Sequence, residues 1–233
     1  MLYLITPTGG RPDQMELCYK FMMNQDYAGP VTWLIVDDCV PNTTNFISYT
    51  PREDWRAIRL IPDHQWSEGD NTQAANIQEA LNYIKSTLID LVSAIFIIED
   101  DDYYSPGYLT EMMEQLEGYD LAGELCTIYY NVVARGWFRN MNRFHSSLFQ
   151  IAFRPSVIDQ LEATLKHKYI DIHFCKAVKN KNMFLGDDIA IGIKGLPGRA
   201  GIGIGHQDLE SYQDDSSGEE LKKLIGEDSK YYL

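Results

Sequence analysis

Residues 95–109 read IFIIEDDDYYSPGYL, and the fold turns on this stretch. Ile95 to Ile98 form an apolar, mostly β-branched run, the pattern of a strand buried on both faces of a parallel sheet. Glu99, Asp100, Asp101 and Asp102 follow at once, at the carboxyl end of that strand, where open α/β sheets place their ligands. Four adjacent negative charges repel, so a fold that keeps them together supplies something cationic. Hard divalent ions such as Mg²⁺ and Mn²⁺ prefer carboxylate oxygen and bring substrate phosphates with them. The plainer reading, a solvated acidic turn before a helix near Pro106, leaves the strand in front and the Tyr-Tyr-Ser-Pro-Gly-Tyr-Leu behind unexplained.

Working outward, strand and helix signals alternate. Residues 2–6 (LYLIT) read as a first strand, with a turn from Pro7 to Pro12 and a helix from Gln14 to about Asn24. Val31 to Asp37 is a second strand and Arg56 to Ile61 a third. A long helix opens after Gly69-Asp70-Asn71-Thr72, with Ile77, Leu81, Ile84 and Leu88 on one stripe. A helix is expected from about Pro106 to Gln115. This order predicts a mainly parallel sheet with helices on both faces, in a single domain. Farther on, Ile128–Val133 and Leu148–Phe153 read as strands flanking a basic, aromatic loop, and Pro155–Leu165 as a helix. A short helix is expected after Phe184-Leu185-Gly186-Asp187-Asp188. Residues 195–205 hold five glycines, the composition of a mobile loop.

At 233 residues and 45% hydrophobic content, the chain suits one α/β domain with a real core. No apolar run approaches a membrane span, and the start lacks the basic region of a signal peptide. Four scattered cysteines form no C-x-x-C pair and fit a reducing cytoplasm. The net charge is −14, yet residues 133–200 carry 11 basic against 5 acidic side chains. A basic island in an acidic protein points to a face that meets an anion.

Four segments in order, ITPTGGRP, VDD, EDDDYYSPGYL and LGDD, resemble GT-A glycosyltransferases, particularly family-2 types and small bacterial and bacteriophage members. The resemblance spans roughly residues 1–206. It implies a GT-A-like fold with a nucleotide-sugar half at about 1–125, an acceptor and catalytic half at about 126–206, and an acidic tail at 207–233. It implies transfer of a sugar from a nucleoside-diphosphate sugar, in the first instance a UDP-sugar, to an acceptor hydroxyl with inversion. Mn²⁺ or Mg²⁺ would be held by Asp101, with Asp102 and His206 as further ligands. Thr6, Pro7, Thr8, Arg11, Asp37, Asp38, Asn71, Asn76, Glu99, Asp100 and Arg199 would contact the donor. Asp188, or its neighbour Asp187, would act as general base.

Two departures stand out. Ala75 occupies the position where the resembled family often carries an arginine, so Arg11 or Arg199 would have to substitute. The family's Q-x-x-R-W signature is absent, so the acceptor does not carry over. Arg139, Arg143 and His145 are assigned to the acceptor side, in a groove expected to include Arg135, Lys176, Lys179 and Lys181. Lipid phosphate, an acidic polysaccharide or hydroxymethylated pyrimidines of phage DNA would suit such a groove, with Trp137 and Phe138 available for stacking. The overall negative charge argues against strong non-specific duplex binding. The alternatives are a sugar-phosphate nucleotidyltransferase, whose expected loop TPTGGRP does not match, and a non-catalytic nucleotide-sugar-binding module.

Overall fold

The computed structural model describes residues 1–39, 52–67, 70–87, 91–186, 188–198 and 209–233. The strands are β1 (Leu2–Thr8), β2 (Val31–Asp37), β3 (Trp55–Leu60), β4 (Ala94–Ile97), β5 (Tyr103–Tyr104), β6 (Leu121–Glu124), β7 (Cys126–Asn131), β8 (Gly136–Met141), β9 (Ile151–Phe153), β10 (Lys181–Phe184), β11 (Ala190–Lys194) and β12 (Gln213–Asp214). The helices are α1 (Pro12–Met23), α2 (Gln73–Ser86), α3 (Tyr108–Gln115), α4 (Ile158–Thr164), α5 (Ile170–Ala177) and α6 (Glu219–Ile225).

Seven strands form the main sheet in the order β10-β6-β9-β4-β1-β2-β3. All its pairings are parallel except those of β9, which runs antiparallel between β4 and β6. β1 lies beside the central β4, with all seven of its residues buried. Its side chains alternate between the two layers, as the period of two requires. Leu2 and Leu4 join the cluster packed under α1, α3 and the second sheet, while Tyr3 and Ile5 join the one under α2, α4 and α5. β4 divides the same way, with Phe96 and Ile98 on one side and Ile95 and Ile97 on the other. This is why 95–98 reads as an unbroken apolar run. Proline inside a central strand is unusual, because it removes a ladder donor. Pro7 is accommodated because the β1–β4 pairing stops at Ile5 opposite Ile97.

A second sheet, β12-β8-β7-β11-β5, stands beside the first. It contains the principal departure from the sequence reading. The segment after Asp188 is not a helix but β11, fully buried and paired with both β7 and β5. Its Ala-Ile-Gly-Ile-Lys alternates, and Gly192 has no room for a side chain, since a Cβ would stand 2.5 Å from the Tyr129 ring. The segment 148–153 is a 3₁₀ turn followed by β9, and the helix expected at 155–165 begins as a 3₁₀ turn before α4. The terminal segment packs onto the body, with Leu221, Ile225 and Tyr232 in the core. Leu88 of the α2 stripe and most of the glycine-rich loop lie outside the described residues.

Candidate active site

The carboxyl ends of the parallel strands gather the acidic motifs onto one edge. β1 ends at Thr8, β2 at Asp37, and β4 runs into Ile98 and the Glu99–Asp102 cluster. β6 ends at Glu124, and β10 leads to Asp188. At about 4.8 Å per strand, β10 stands roughly 14 Å from β4, with β9 and β6 between them. Asp102 and Asp188, 86 positions apart in sequence, are linked by β11, which begins two residues after Asp188 and ends at Lys194, the partner of Asp102.

Glu99, Asp101 and Asp102 each offer a carboxylate oxygen, all within 4.8 Å of one another. The grouping differs in detail from the expectation: Glu99 joins Asp101 and Asp102, whereas Asp100 turns away. Asp100 is buried, accepting from Thr8 Oγ1 at 2.5 Å and pairing with Arg11 Nη2. Arg11 Nη1 reaches Asp101 Oδ2 at 3.0 Å. Gln73 Nε2 donates to Glu99 Oε1 at 2.8 Å, and the Glu99 N–H donates to the Tyr104 hydroxyl at 2.8 Å. Asp102 is fixed from β11: the Ile193 N–H and Lys194 Nζ both donate to its Oδ1 at 2.9 Å.

Lys194 is 5% exposed and its ammonium lies over the rings of Tyr129 and Phe149. Burial opposes its charge, but Asp102, Asp101 and Glu99 outweigh that and raise its pKa. Burial likewise opposes Arg11, and Asp100, Asp101 and Glu99 hold it charged. Burial pushes the Glu99 carboxyl up to about 7; Lys194 pulls it down and Asp101 adds to the rise. The donor set is all oxygen, as Mg²⁺ and Mn²⁺ prefer. Asp102 Oδ2 is buried without a hydrogen-bond partner, which ligation of a cation would satisfy. The residues therefore fit a hard divalent ion.

Several residues assigned to the donor are used by the protein itself. Thr6 is fully buried and its hydroxyl accepts from Trp33 Nε1 at 2.9 Å, so it belongs to the core rather than to a pocket wall. Pro7 is buried in β1. Asp37 is fully buried and pairs with Arg59 at 2.8 Å, and Asp38 accepts from Thr72 and from Asn76 Nδ2 at 2.8 Å. Thr72 stands at the N-cap position of α2 but gives its hydroxyl to Asp38 instead of the helix. Asp38 and Asn76 thus brace β2 against α2. Asn71 is exposed, and its Oδ1 accepts from the Gln73 N–H.

At the far end of the edge, Asp188 has φ +58°, the left-handed region that aspartate tolerates better than most residues. Both its oxygens accept from Arg139, each at 2.7 Å. Non-glycine residues held this way concentrate at functional sites. Beside it, Glu124 is fully buried at the end of β6. Its Oε2 accepts from Gln150 Nε2 at 2.8 Å, and a Cβ on Gly186 would stand 2.9 Å from its Oε1. Burial lifts its carboxyl to about 8, the charge of Asp188 adds to this, and hydrogen bonds from the Asp188 N–H and Gln150 pull it back. Glu124, Gln150 and Gln73 carry no local signal that would single them out from sequence. Lys194, just before the glycine-rich run, reads from sequence as a candidate phosphate contact, and in the structure it pairs with Asp102.

The basic groove is not assembled as expected. Arg139 is committed to Asp188, and Arg135 Nη2 donates to the Leu233 carbonyl from the opposite end of β8. Lys181 Nζ donates to the carbonyls of Cys175 and Val178, closing the end of α5. Phe138 packs in the core between Tyr129 and Tyr212 and offers no stacking platform. Arg143, Lys176 and Lys179 are exposed, and the His145 ring lies beside Phe144. Asp187, Arg199 and His206 lie outside the described residues.

Strand order, the antiparallel β9 within the main sheet and the acidic edge together define a GT-A-like glycosyltransferase fold, in a mixed α/β domain. Structures of TarS from S. aureus are among its solved neighbours. One TarS structure superposes with a TM-score of 0.59 at 11% identity, over 82% of this chain and 36% of that one. TarS 1–349 in complex with UDP gives 0.59 at 12% identity, over 82% and 60%, and its complex with UDP-GlcNAc gives 0.58 at 12%, over 85% and 59%. The chain thus spans between about a third and three-fifths of these neighbours, and identity at this level speaks for the fold. No protein-family model matches the chain, and neither does any curated protein. No described helix is long and apolar enough to cross a membrane.

Proposed function

We propose that the protein is a metal-dependent glycosyltransferase of the family-2 type that its motifs resemble. It would move a sugar from a nucleoside-diphosphate sugar, a UDP-sugar in the first instance, to an acceptor hydroxyl with inversion. The observation that carries this reading is the Glu99–Asp101–Asp102 trio at the carboxyl end of β4, within a GT-A-like sheet. TarS has been captured with UDP and with UDP-GlcNAc on the same fold, which makes UDP-GlcNAc the first donor to try.

Glu99, Asp101 and Asp102 would hold Mn²⁺ or Mg²⁺. When bound, the ion supplies Lewis-acid stabilisation of the departing diphosphate. Asp188 would accept the acceptor's proton. Its pairing with Arg139 orients the carboxylate and consumes two of its roughly four lone-pair sites, leaving the others for a hydroxyl. Arg143, Lys176 and Lys179 keep an anionic acceptor within the proposal, with hydroxymethylated DNA as one specific case.

The test is nucleoside-diphosphate release from UDP-sugars with Mn²⁺, in the wild-type protein and Asp101→Ala. The variant should keep its fold and lose turnover along with metal-enhanced nucleotide binding. Undiminished turnover in Asp101→Ala, or in excess chelator, refutes the metal assignment.

A further inference from the structure

Arg11 competes with any metal for Asp101. It sits at the turn between β1 and α1, and one arm of its guanidinium lies 3.0 Å from Asp101 Oδ2. That same residue supplies one of the three carboxylates able to hold a cation. A guanidinium and a divalent ion cannot share this carboxylate cheaply, because like charges a few ångströms apart in a partly dry site repel strongly. Lys194 also sets a positive charge beside the trio, but it pairs with Asp102 Oδ1 and leaves Oδ2 without a partner.

Arg11 has a second anchor. Its Nη2 pairs with Asp100, whose other oxygen is held by Thr8. The side chain can therefore release Asp101 without leaving the site. Arg11 also carries part of the wall above it. A Cβ on Gly198 would stand 3.4 Å from Arg11 Cγ, and Gln14 of α1 donates to the Pro197 carbonyl. The start of the glycine-rich segment thus rests on the Arg11 stem and is tied to the same helix.

We infer that Arg11 is a counter-ion latch. Without ligand it occupies the metal's place at Asp101. It yields when a nucleoside diphosphate offers its own oxygens to the guanidinium, which is suited to bidentate phosphate contact. Metal and nucleotide then enter together, each strengthening the other's binding by the same factor. The latch rests on the nucleotide-sugar reading above and deepens it.

The test is Mn²⁺ titration followed by electron paramagnetic resonance, on wild type, Arg11→Met and Arg11→Gln, each with and without UDP. Wild type alone should bind Mn²⁺ weakly, and UDP should tighten it at least tenfold. The variants should bind Mn²⁺ alone at least tenfold more tightly than wild type, and UDP should add much less. Melting temperatures supply a second readout that also reports folding: Mn²⁺ alone should raise that of the variants and not that of wild type. If wild type shows the UDP-dependent site but the folded variants bind Mn²⁺ no more tightly, the latch is overturned and the proposed function stands. Wild type binding Mn²⁺ equally well with and without UDP overturns the latch as well. If no protein binds Mn²⁺ even with UDP, the metal reading fails and takes the latch with it.

Discussion

Glu124→Gln should make the protein more resistant to alkaline pH. Glu124 is fully buried at the end of β6, and burial raises its carboxyl from 4.5 to about 8. In the unfolded chain the same group titrates near its ordinary value of about 4.3. Between these limits the native state binds more protons than the unfolded state, so stability falls as pH rises. The contribution is fully present below the unfolded value and is lost as pH climbs through about 8. At about 1.4 kcal/mol per pH unit, the whole interval corresponds to on the order of 5 kcal/mol. Glutamine has the shape of the protonated acid and keeps an acceptor for Gln150, but it cannot ionise. Glu99, raised to about 7, adds a slope of the same sign in both proteins, so the comparison isolates Glu124. Urea unfolding of wild type and variant from pH 5 to 9, without metal, should give curves that diverge. The variant should gain a few kcal/mol on wild type between the ends of that range. Parallel curves would refute the argument, because they would mean Glu124 is ionised in the native state at neutral pH or is hydrated.

Lys194→Met should cost about 3–5 kcal/mol by stranding the buried Asp102 carboxylate, or roughly 2–4 °C of melting temperature for each kcal/mol in a domain of this size. Adding Asp102→Asn should restore part of the loss, and a double variant no better than Lys194→Met would count against a buried ion pair. Asp188→Asn should bind a UDP-sugar normally yet lose about 10²–10⁴-fold in transfer, the usual worth of a general base. Steady-state kinetics should place the effect of Arg139→Ala mainly in kcat, since it orients Asp188 rather than the donor; a change confined to the acceptor KM would move Arg139 to the acceptor instead.

The main sheet was largely legible because its signals are local. β1, β2 and β4 are buried on both faces and read as apolar runs, and α2 advertises its stripe through Ile77, Leu81 and Ile84. The second sheet was harder. β5 has two residues, and β11 sits between glycine-rich and acidic segments whose composition suggests a loop or a helix start. Its strand state comes from Ile128 and Tyr103, which pair with Ile191 across the sheet, and pairing over such distances leaves no mark in the local sequence.

The same division runs through the candidate site. The sequence alone located the acidic cluster, because a buried strand followed by four carboxylates is unusual wherever it occurs. It also located the LGDD segment and the turn bearing Arg11. Which carboxylates point together, and which already have partners, was decided by tertiary contacts alone. Arg11, Thr8 and Lys194 sort four adjacent acids into different roles, and Thr72 with Asn76 turns Asp38 into a brace. Arg139, assigned by its charge to the acceptor side, is instead the partner of Asp188. Burial and pairing free energies depend on neighbours brought in from 34 to 92 positions away, and residue order cannot state them before the chain has folded.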